Sequence, residues 1–412
     1  MSQVNITINY EEVVALFSKD KGEGFAYLME KILNAFLLAE SEEQIGAAKH
    51  ERSESRNDYR NGTRSRPLVT RIGSITLNVP RHREVPFVTM IFDNYQRSEA
   101  ALLTTMIEMV IQGVSTRKVS NVVEELCGTS FSKSTVSELC KNLDESVNQF
   151  KNRQLKAAYP FVIVDAKYLK VREDHRIVSK AFMVAMGITA DGQREIIGFD
   201  TYENESEATW TKFLSSLKER GLTDVNTITS DSHSGLIAGL KRVFPEVAWQ
   251  RCQYHFLKNI LRDTPKKFQA GLQTELREMF TAKTMGEARK LRDEIISDYK
   301  DVAPKSMEIL DDGFEAAMTV MLLPEEMRTP LRTSNYVERE NGELERRYSV
   351  IRIFPNIDSI NRLMGAVLME RHDLMSMNRA LFSKKRYTDA ITVAKPKLIE
   401  IAHEQVKLLK AA

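Results

Sequence analysis

Residues 160–250 constrain this chain more than any other segment. Phe161-Val162-Ile163-Val164 is a short unbroken apolar run, the mark of a strand covered on both faces, and it stops at Asp165. Ala181–Ile188 and Arg194–Phe199 read as a second and third strand. A helical period runs from about Glu205 to Arg220 and ends at Gly221. Asn226–Thr229 reads as a fourth strand leading to Asp231, Gly235–Val243 as a helix, and Val247–Gln250 as a last strand. The order is β-β-β-α-β-α-β, hairpins first and alternation afterwards.

That order is ribonuclease-H-like, not the uniform βα alternation of a dinucleotide-binding fold. Asp165 and Asp231 then fall at the carboxyl ends of central strands, where open α/β sheets carry their sites. Two poorly solvated carboxylates side by side repel unless a cation neutralises them. Mg²⁺ or Mn²⁺ suits all-oxygen ligands, and a pair of such ions is the recurrent machinery of phosphoryl displacement. A third acid is expected from the charged helix after residue 335, where Glu338, Glu340, Glu343 and Glu345 compete. Helical spacing puts Glu338 and Glu345 on one face, turns Glu340 away and leaves Glu343 between them. Asp231 and Glu338 are 107 positions apart, far more than a minimal core requires, and residues 258–330 show helical periodicity without strand signals. An all-helical insertion is expected there.

The remainder divides around this core. Residues 1–50 read as helical, with four lysines against eight acids, and either these helices or the insertion is expected to supply a dimer contact. Residues 51–97 read as a basic β-element, with eight arginines between 51 and 83 against Glu51, Glu54 and Asp58, a turn signal at Asn61-Gly62, and strand-like alternation from Arg71 to Pro80. Residues 98–150 resemble a helix-turn-helix, with two short helices, a turn containing Gly128, and Ser132 and Ser134 as natural N-caps. The core occupies 151–257 and 331–377, split by the insertion, and 378–412 is a tail with eight basic residues against Asp389, Glu400 and Glu404. The whole-chain balance of +2 excludes a histone-like polyanion binder, yet it is the sum of these opposed segments.

Several longer runs carry a family resemblance. They are Thr-Ser-Asp-Ser-His-Ser-Gly-Leu (229–236), Trp-Gln-Arg-Cys-Gln-Tyr-His-Phe-Leu-Lys-Asn (249–259), Ser-Asn-Tyr-Val-Glu-Arg-Glu-Asn-Gly-Glu (334–343) and Val-Ile-Arg-Ile-Phe-Pro-Asn (350–356). Upstream, Tyr-Arg-Asn-Gly (59–62), Val-Pro-Arg (79–81), Gly-Val-Ser-Thr-Arg (113–117) and Val-Asp-Ala (164–166) join them. Together, over roughly residues 50–375, the chain resembles the Mutator-type DDE transposases of bacterial insertion sequences. The resemblance implies a catalytic and metal-holding triad of Asp165, Asp231 and Glu338, the last from the family's Asn-x-x-Glu-Arg run at Asn335–Arg339. It implies the helical insertion as well. Ser334 stands where the family usually has Thr, and Glu345 where Arg is common.

On this reading the protein is a Mg²⁺-dependent DNA transposase and endonuclease, with Mn²⁺ as a substitute. It binds double-stranded terminal inverted repeats and target DNA, and is a homodimer when assembled on DNA. Arg56, Arg60, Arg64, Arg66, Arg71 and Arg81 of the basic element, with Arg117, Lys118 and Lys133 of the helical pair, are expected to touch DNA. Lys258, Arg262, Lys266, Lys267, Arg339, Arg346, Arg347 and Arg352 are expected to meet phosphates. Cys252 and His255 form a Cys-x-x-His that is one half of a zinc set, so with Trp249 they are read as structural packing around the last strand. Trp210 reads as core, with stacking on a flipped base as its alternative, and His233 as a loop residue near the acids. Cys127, Cys140 and Cys252 make no disulfide framework. No leader pattern or membrane-length apolar run is present, so a bacterial cytoplasmic, nucleoid-associated protein is expected. A nuclease of the same fold that only hydrolyses, and a non-enzymatic DNA-binding regulator, remain the alternatives.

Overall fold

A computed structural model of the chain describes residues 14, 21–48, 51, 56–70, 73–89, 100–127 and 131–411. The chain folds as two compact units, Met1–Asn142 and Leu143–Ala412.

The first unit holds helix α1 (Lys21–Ile45), a hairpin of β1 (Arg60–Thr70) and β2 (Gly73–His82), and helices α2 (Ala100–Ile111), α3 (Thr116–Cys127) and α4 (Lys133–Leu139). Leu37 of α1 packs on Leu68, Ile75 and Leu77, the inward positions of the alternating strands. Helix α1 also grips β2 by its backbone: Glu30 accepts from Thr76 N–H at 2.8 Å, and Asn34 bonds Asn78 N–H and Thr76 C=O at 2.7 and 3.0 Å. Asn61-Gly62 does not reverse the hairpin. It sits inside β1 where the register shifts between Arg60 and Thr63, Gly62 taking φ +76°, and the strands close between Thr70 and Gly73. The α2–α4 helices enclose Leu102, Met106, Val119, Val123 and Val136. Ser132 caps α4, accepting from Thr135 N–H at 3.0 Å. The turn at Gly128 lies outside the described residues.

The second unit opens with α5 (Leu143–Asn152), inside the range expected for the helix-turn-helix segment. It is tied to α14 (Ile357–Ser376) by a bidentate Asp144–Arg362 pair at 2.6 and 2.8 Å. The strands are β3 (Phe161–Glu173), β4 (Arg176–Ile188), β5 (Arg194–Tyr202), β6 (Thr227–Ser230) and β7 (Ala248–Arg251), in spatial order β5-β4-β3-β6-β7. The first three are antiparallel, and β6 and β7 run parallel to β3. Helices α6 (Glu207–Glu219) and α7 (Ser234–Val243) cover one face, where Trp210, Phe213, Leu214 and Leu240 meet Val162, Val164, Met183 and Ile228. The two helices touch closely at Gly239, where a Cβ would stand 2.9 Å from Thr211 N and Trp210 Cβ.

Strand β3 does not stop at Asp165; it continues eight residues to Glu173, still paired with β4. Beyond Val164 only one face is covered, so Leu169 and Val171 are buried between exposed neighbours and the apolar run ends before the strand does. Residues 252–331 are mostly helical, as the periodicity predicts: α8 (Gln253–Arg262), α9 (Lys266–Phe280), α10 (Met285–Tyr299) and α11 (Pro304–Ala317) surround Phe256, Ile260, Leu276, Leu310 and Phe314, and α12 (Glu325–Leu331) follows. Helix α13 (Asn335–Ile351) follows, and Phe354 after it bonds the far half of β3 through Lys170 C=O and Arg172 N–H, each at 2.9 Å.

The basic C-terminal segment is a helix, α15 (Lys384–Ala411), with Ala394, Leu398 and Ala402 buried. Its Gln405 takes Trp249 N–H at 2.9 Å and donates to Trp249 C=O at 2.8 Å, satisfying the free edge of β7 as another strand would. No helix among the described residues is long and apolar enough to cross a membrane.

Candidate active site

Strand pairing brings the two aspartates together. Strands β3 and β6 pair at Phe161↔Thr227, Val162↔Ile228 and Ile163↔Thr229, and Asp165 and Asp231 lie two residues beyond the last pair in that same register. Alternation puts both on the face opposite α6 and α7. Neighbouring strands stand about 4.8 Å apart, so two carboxylates there face each other across poorly hydrated space. Burial, with Asp231 and Glu338 adding repulsion against the opposing pull of His255, pushes the Asp165 carboxyl up to about 7.

Glu338 arrives from the first turn of α13. Ser334, fully buried at the start of that helix, gives its N–H to Cys252 Sγ at 3.3 Å, and its hydroxyl lies 3.2 Å from the same sulfur. The hydroxyl also donates to Glu338 Oε1 at 2.6 Å. Cys252 follows β7 directly, so this chain of bonds carries Glu338 to the end of the parallel strands. The other three glutamates of the helix are engaged by basic side chains. Glu340 is buried and receives Arg371 at 2.6 and 3.2 Å; Glu343 lies 2.8 Å from Arg346; Glu345 pairs with Lys167.

Cys252 is buried, as expected of a packing residue, and Trp249 is buried with its indole donating to Ser230 Oγ at 2.9 Å. His255 differs. Its Nε2 stands 3.7 Å from Glu338 Oε1, and Cys252, together with Glu338 and Asp165, pushes its pKa up to about 9 against the opposing effect of burial. Cys252, His255 and Glu338 offer donor atoms within 4.8 Å of one another, three of the four a closed zinc site takes.

Three further residues escaped the sequence reading. Asn341 Nδ2 donates to Asp165 Oδ2 at 2.7 Å, one turn after Glu338 on the same helix. Glu205 feels Asp231 and His233, and burial raises its pKa. Arg251, at the end of β7, is held below the usual guanidinium range by burial and feels Asp231 in the opposite sense. Asn341 could have been suspected from its spacing; the other two are neighbours only in three dimensions. His233 sits at the N-cap of α7, its N–H donating to Asp231 Oδ1 at 3.2 Å and its buried Nδ1 without a partner. Trp210 is fully buried, so it presents no face to a base.

Asp231 and Glu338 both act electrostatically on Asp165, whose proton is held chiefly by burial; three carboxylates in one neighbourhood are the donor chemistry a hard divalent cation takes, and such a cation would relieve their repulsion.

The expected DNA-facing residues divide. Arg64, Arg81, Arg117, Lys118 and Lys133 are exposed on the first unit, and Arg66 is half-buried. Arg56 and Arg60 are tied down: Arg56 donates to Glu51 C=O at 2.6 Å, and Arg60 to Glu42 and Ala47 C=O, both at 3.1 Å. Arg71 lies outside the described residues. On the second unit Lys258, Arg262, Lys266, Lys267, Arg339, Arg346 and Arg352 are exposed. Arg347 is a correction. Its side chain is only 4% exposed and 3.6 Å from Glu343, because its position on α13 faces the protein interior, so it offers no surface to a phosphate.

The family described as "Transposase, Mutator family" matches residues 1–377, and the chain belongs to it. The transposase for insertion sequence IS256 in transposon Tn4001 of Staphylococcus aureus is 42% identical over 391 residues, 94% of this chain and 99% of that relative. The transposase for ISRM5 of Rhizobium meliloti is 40% identical, covering 87% and 90% of the two chains. The transposase for IS1081 of Mycobacterium tuberculosis is 36% identical, covering 84% of each.

Proposed function

We propose that this chain is an insertion-sequence transposase with a ribonuclease-H-like core, which binds the terminal inverted repeats of its element, cuts DNA at their ends and joins the freed 3′-OH to target DNA. One observation carries the reading: Asp165 and Asp231 continue a single strand register, and the Cys252–Ser334 bonds deliver Glu338 to the same sheet end.

Asp165, Asp231 and Glu338 would hold two Mg²⁺ ions, or Mn²⁺ in their place. Bound there, the cations supply charge stabilisation for the attacking and departing oxygens of an in-line displacement. The chain's own residues set the geometry. Asn341 fixes one oxygen of Asp165, Ser334 fixes one oxygen of Glu338, and His255 faces that same oxygen. With these carboxylates held, reaction depends on positioning and charge, and no side chain needs to form a bond to phosphorus.

The exposed Arg64 and Arg81 of the hairpin and Arg117, Lys118 and Lys133 of the helical trio serve DNA recognition, α4 being the helix-turn-helix candidate for the major groove. Two ends must meet, so the active species is a homodimer on DNA, and the protein works at the bacterial nucleoid in the cytoplasm.

The test uses purified protein, Mg²⁺, a duplex bearing the element's end with a free 3′-OH, and a target plasmid. Joined product is expected, and Glu338→Gln should abolish cutting and joining while leaving end binding intact. Cutting without joining would leave a nuclease of the same fold. Unchanged cutting by Glu338→Gln would overturn the triad.

A further inference from the structure

Beside the acid cluster lies a second feature that the triad does not use. A cavity of about 360 Å³ opens between α8, α9 and the segment leading into α13. Its walls are apolar and aromatic: the ring of Tyr254, Leu257 and Phe280. Arg277, Arg332 and Asn335 also line it, with two glutamines and two threonines. The volume is that of a small-molecule site, and the lining combines aromatic and apolar surface with cationic and amide groups.

The cavity is built next to the chemistry. Tyr254 directly precedes His255, whose imidazole faces Glu338. Asn335 directly follows Ser334, whose hydroxyl bonds Glu338 Oε1. The segment between is held in place: Gln253 N–H donates to Arg332 C=O at 3.0 Å, and Arg332 Nη1 to Phe280 C=O at 3.4 Å. Arg277 has no ion-pair partner among the described residues, and Lys258 lies over the Tyr254 ring, 4.3 Å from its centroid. A flat ligand with apolar faces, polar edges and a negative charge on its flank matches this lining.

A nucleotide has that chemistry. A scissile phosphate inside a stacked duplex cannot be pressed against an acid cluster without local distortion, and a flanking base that leaves the stack needs a surface to replace it. We propose that the cavity receives one base of the DNA next to the bond being cut. Tyr254 is its stacking surface and Arg332 and Asn335 meet its polar edge, while Arg277 meets the flanking phosphate. This rests on the reading that the acid cluster cuts DNA, and it assigns part of the helical insertion, α8 and α9, to substrate distortion.

The test is single-turnover cutting by the full chain on a duplex bearing the element's end, in Mg²⁺, with an abasic site placed in turn at each position flanking the cut. On fully paired DNA, Tyr254→Ala should cut about 10-fold more slowly than wild type, the scale of one lost base–aromatic stack, while Tyr254→Phe, which keeps the ring, should cut at nearly the wild-type rate. Where the abasic site removes the base that must be housed, Tyr254→Ala and wild type should converge. Tyr254 is partly exposed, and the Phe variant controls for folding. Equal rates on paired DNA, or slowing by the same factor on every substrate, would overturn the assignment. If wild-type protein cuts none of the substrates, the DNA-cutting reading itself falls and this inference with it.

Discussion

Replacing Asp165 by Asn should stabilise the metal-free protein, and more so at high pH. The carboxyl holds its proton to about 7 in the folded chain, against 3.8 ordinarily, chiefly because it is buried. Below about pH 4 both folded and unfolded chains are protonated, and nothing is lost. As pH rises towards 7 the unfolded chain releases this proton and the folded chain retains it, so ionisation favours unfolding. Above 7 both are ionised and the full penalty applies. The interval from 3.8 to about 7, at about 1.4 kcal/mol per pH unit, is worth about 4 kcal/mol; water reaching the partly covered group lowers the expectation to about 2–4 kcal/mol. Asn cannot ionise, and its carbonyl can still accept the bond from Asn341. Urea unfolding in EDTA, followed by tryptophan fluorescence, reports this unit alone, since Trp210 and Trp249 are the only two tryptophans. The stability gap in favour of Asp165→Asn should widen by about 2 kcal/mol between pH 5 and pH 8. Mg²⁺ at pH 8 should stabilise the wild type more than the variant. A gap that is constant or narrows with pH would refute the account of a buried carboxyl that holds its proton in the folded chain.

Other perturbations probe separate parts. Arg371→Met strands the Glu340 carboxylate, 4% exposed, and should cost about 3 kcal/mol in urea unfolding, most of it restored by adding Glu340→Met; a loss under about 1 kcal/mol would contradict a buried pair. Arg64→Ala and Arg81→Ala should each weaken end-DNA binding and lower the slope of log K against log salt by about 1; an unchanged slope would remove the hairpin from the DNA surface. Gln405→Ala breaks the bonds to Trp249 at 2.9 and 2.8 Å and should open α15 to limited trypsin digestion; an unaltered digestion pattern would show that the helix is held by packing alone.

Much of the core was legible because its signals are local. An unbroken apolar run, alternation and helical spacing place the five strands and two helices near their observed positions, since each depends on residues a few places apart. The two aspartates followed from strand ends, and the 66 positions between them are the register offset that β3 and β6 display. The helical insertion followed from the length of chain left over. Local signals also misled. Asn61-Gly62 has turn chemistry but fills a bulge, and Val164 ends an apolar run but not a strand.

What lay beyond reach depends on partners far along the chain. Helical spacing alone does not choose among four glutamates on one helix; Arg371, Arg346 and Lys167 occupy three of them, and the Cys252–Ser334 bonds hold Glu338 where it acts on Asp165. The motif resemblance names the same residue, while the physical selection is tertiary. His255 reads as packing until its ring is seen beside Glu338, and Arg347 reads as a DNA contact until its burial is seen. The C-terminal segment has the composition of a basic tail, yet Gln405 docks it on β7 across more than 150 residues. Periodicity records which face of an element is apolar, so the elements and the two aspartates were present in the one-dimensional chain. Which charges are neutralised by one another, and which are left facing a common point, is decided only when distant elements pack, because Coulomb and hydrogen-bond energies depend on distances in space rather than along the backbone.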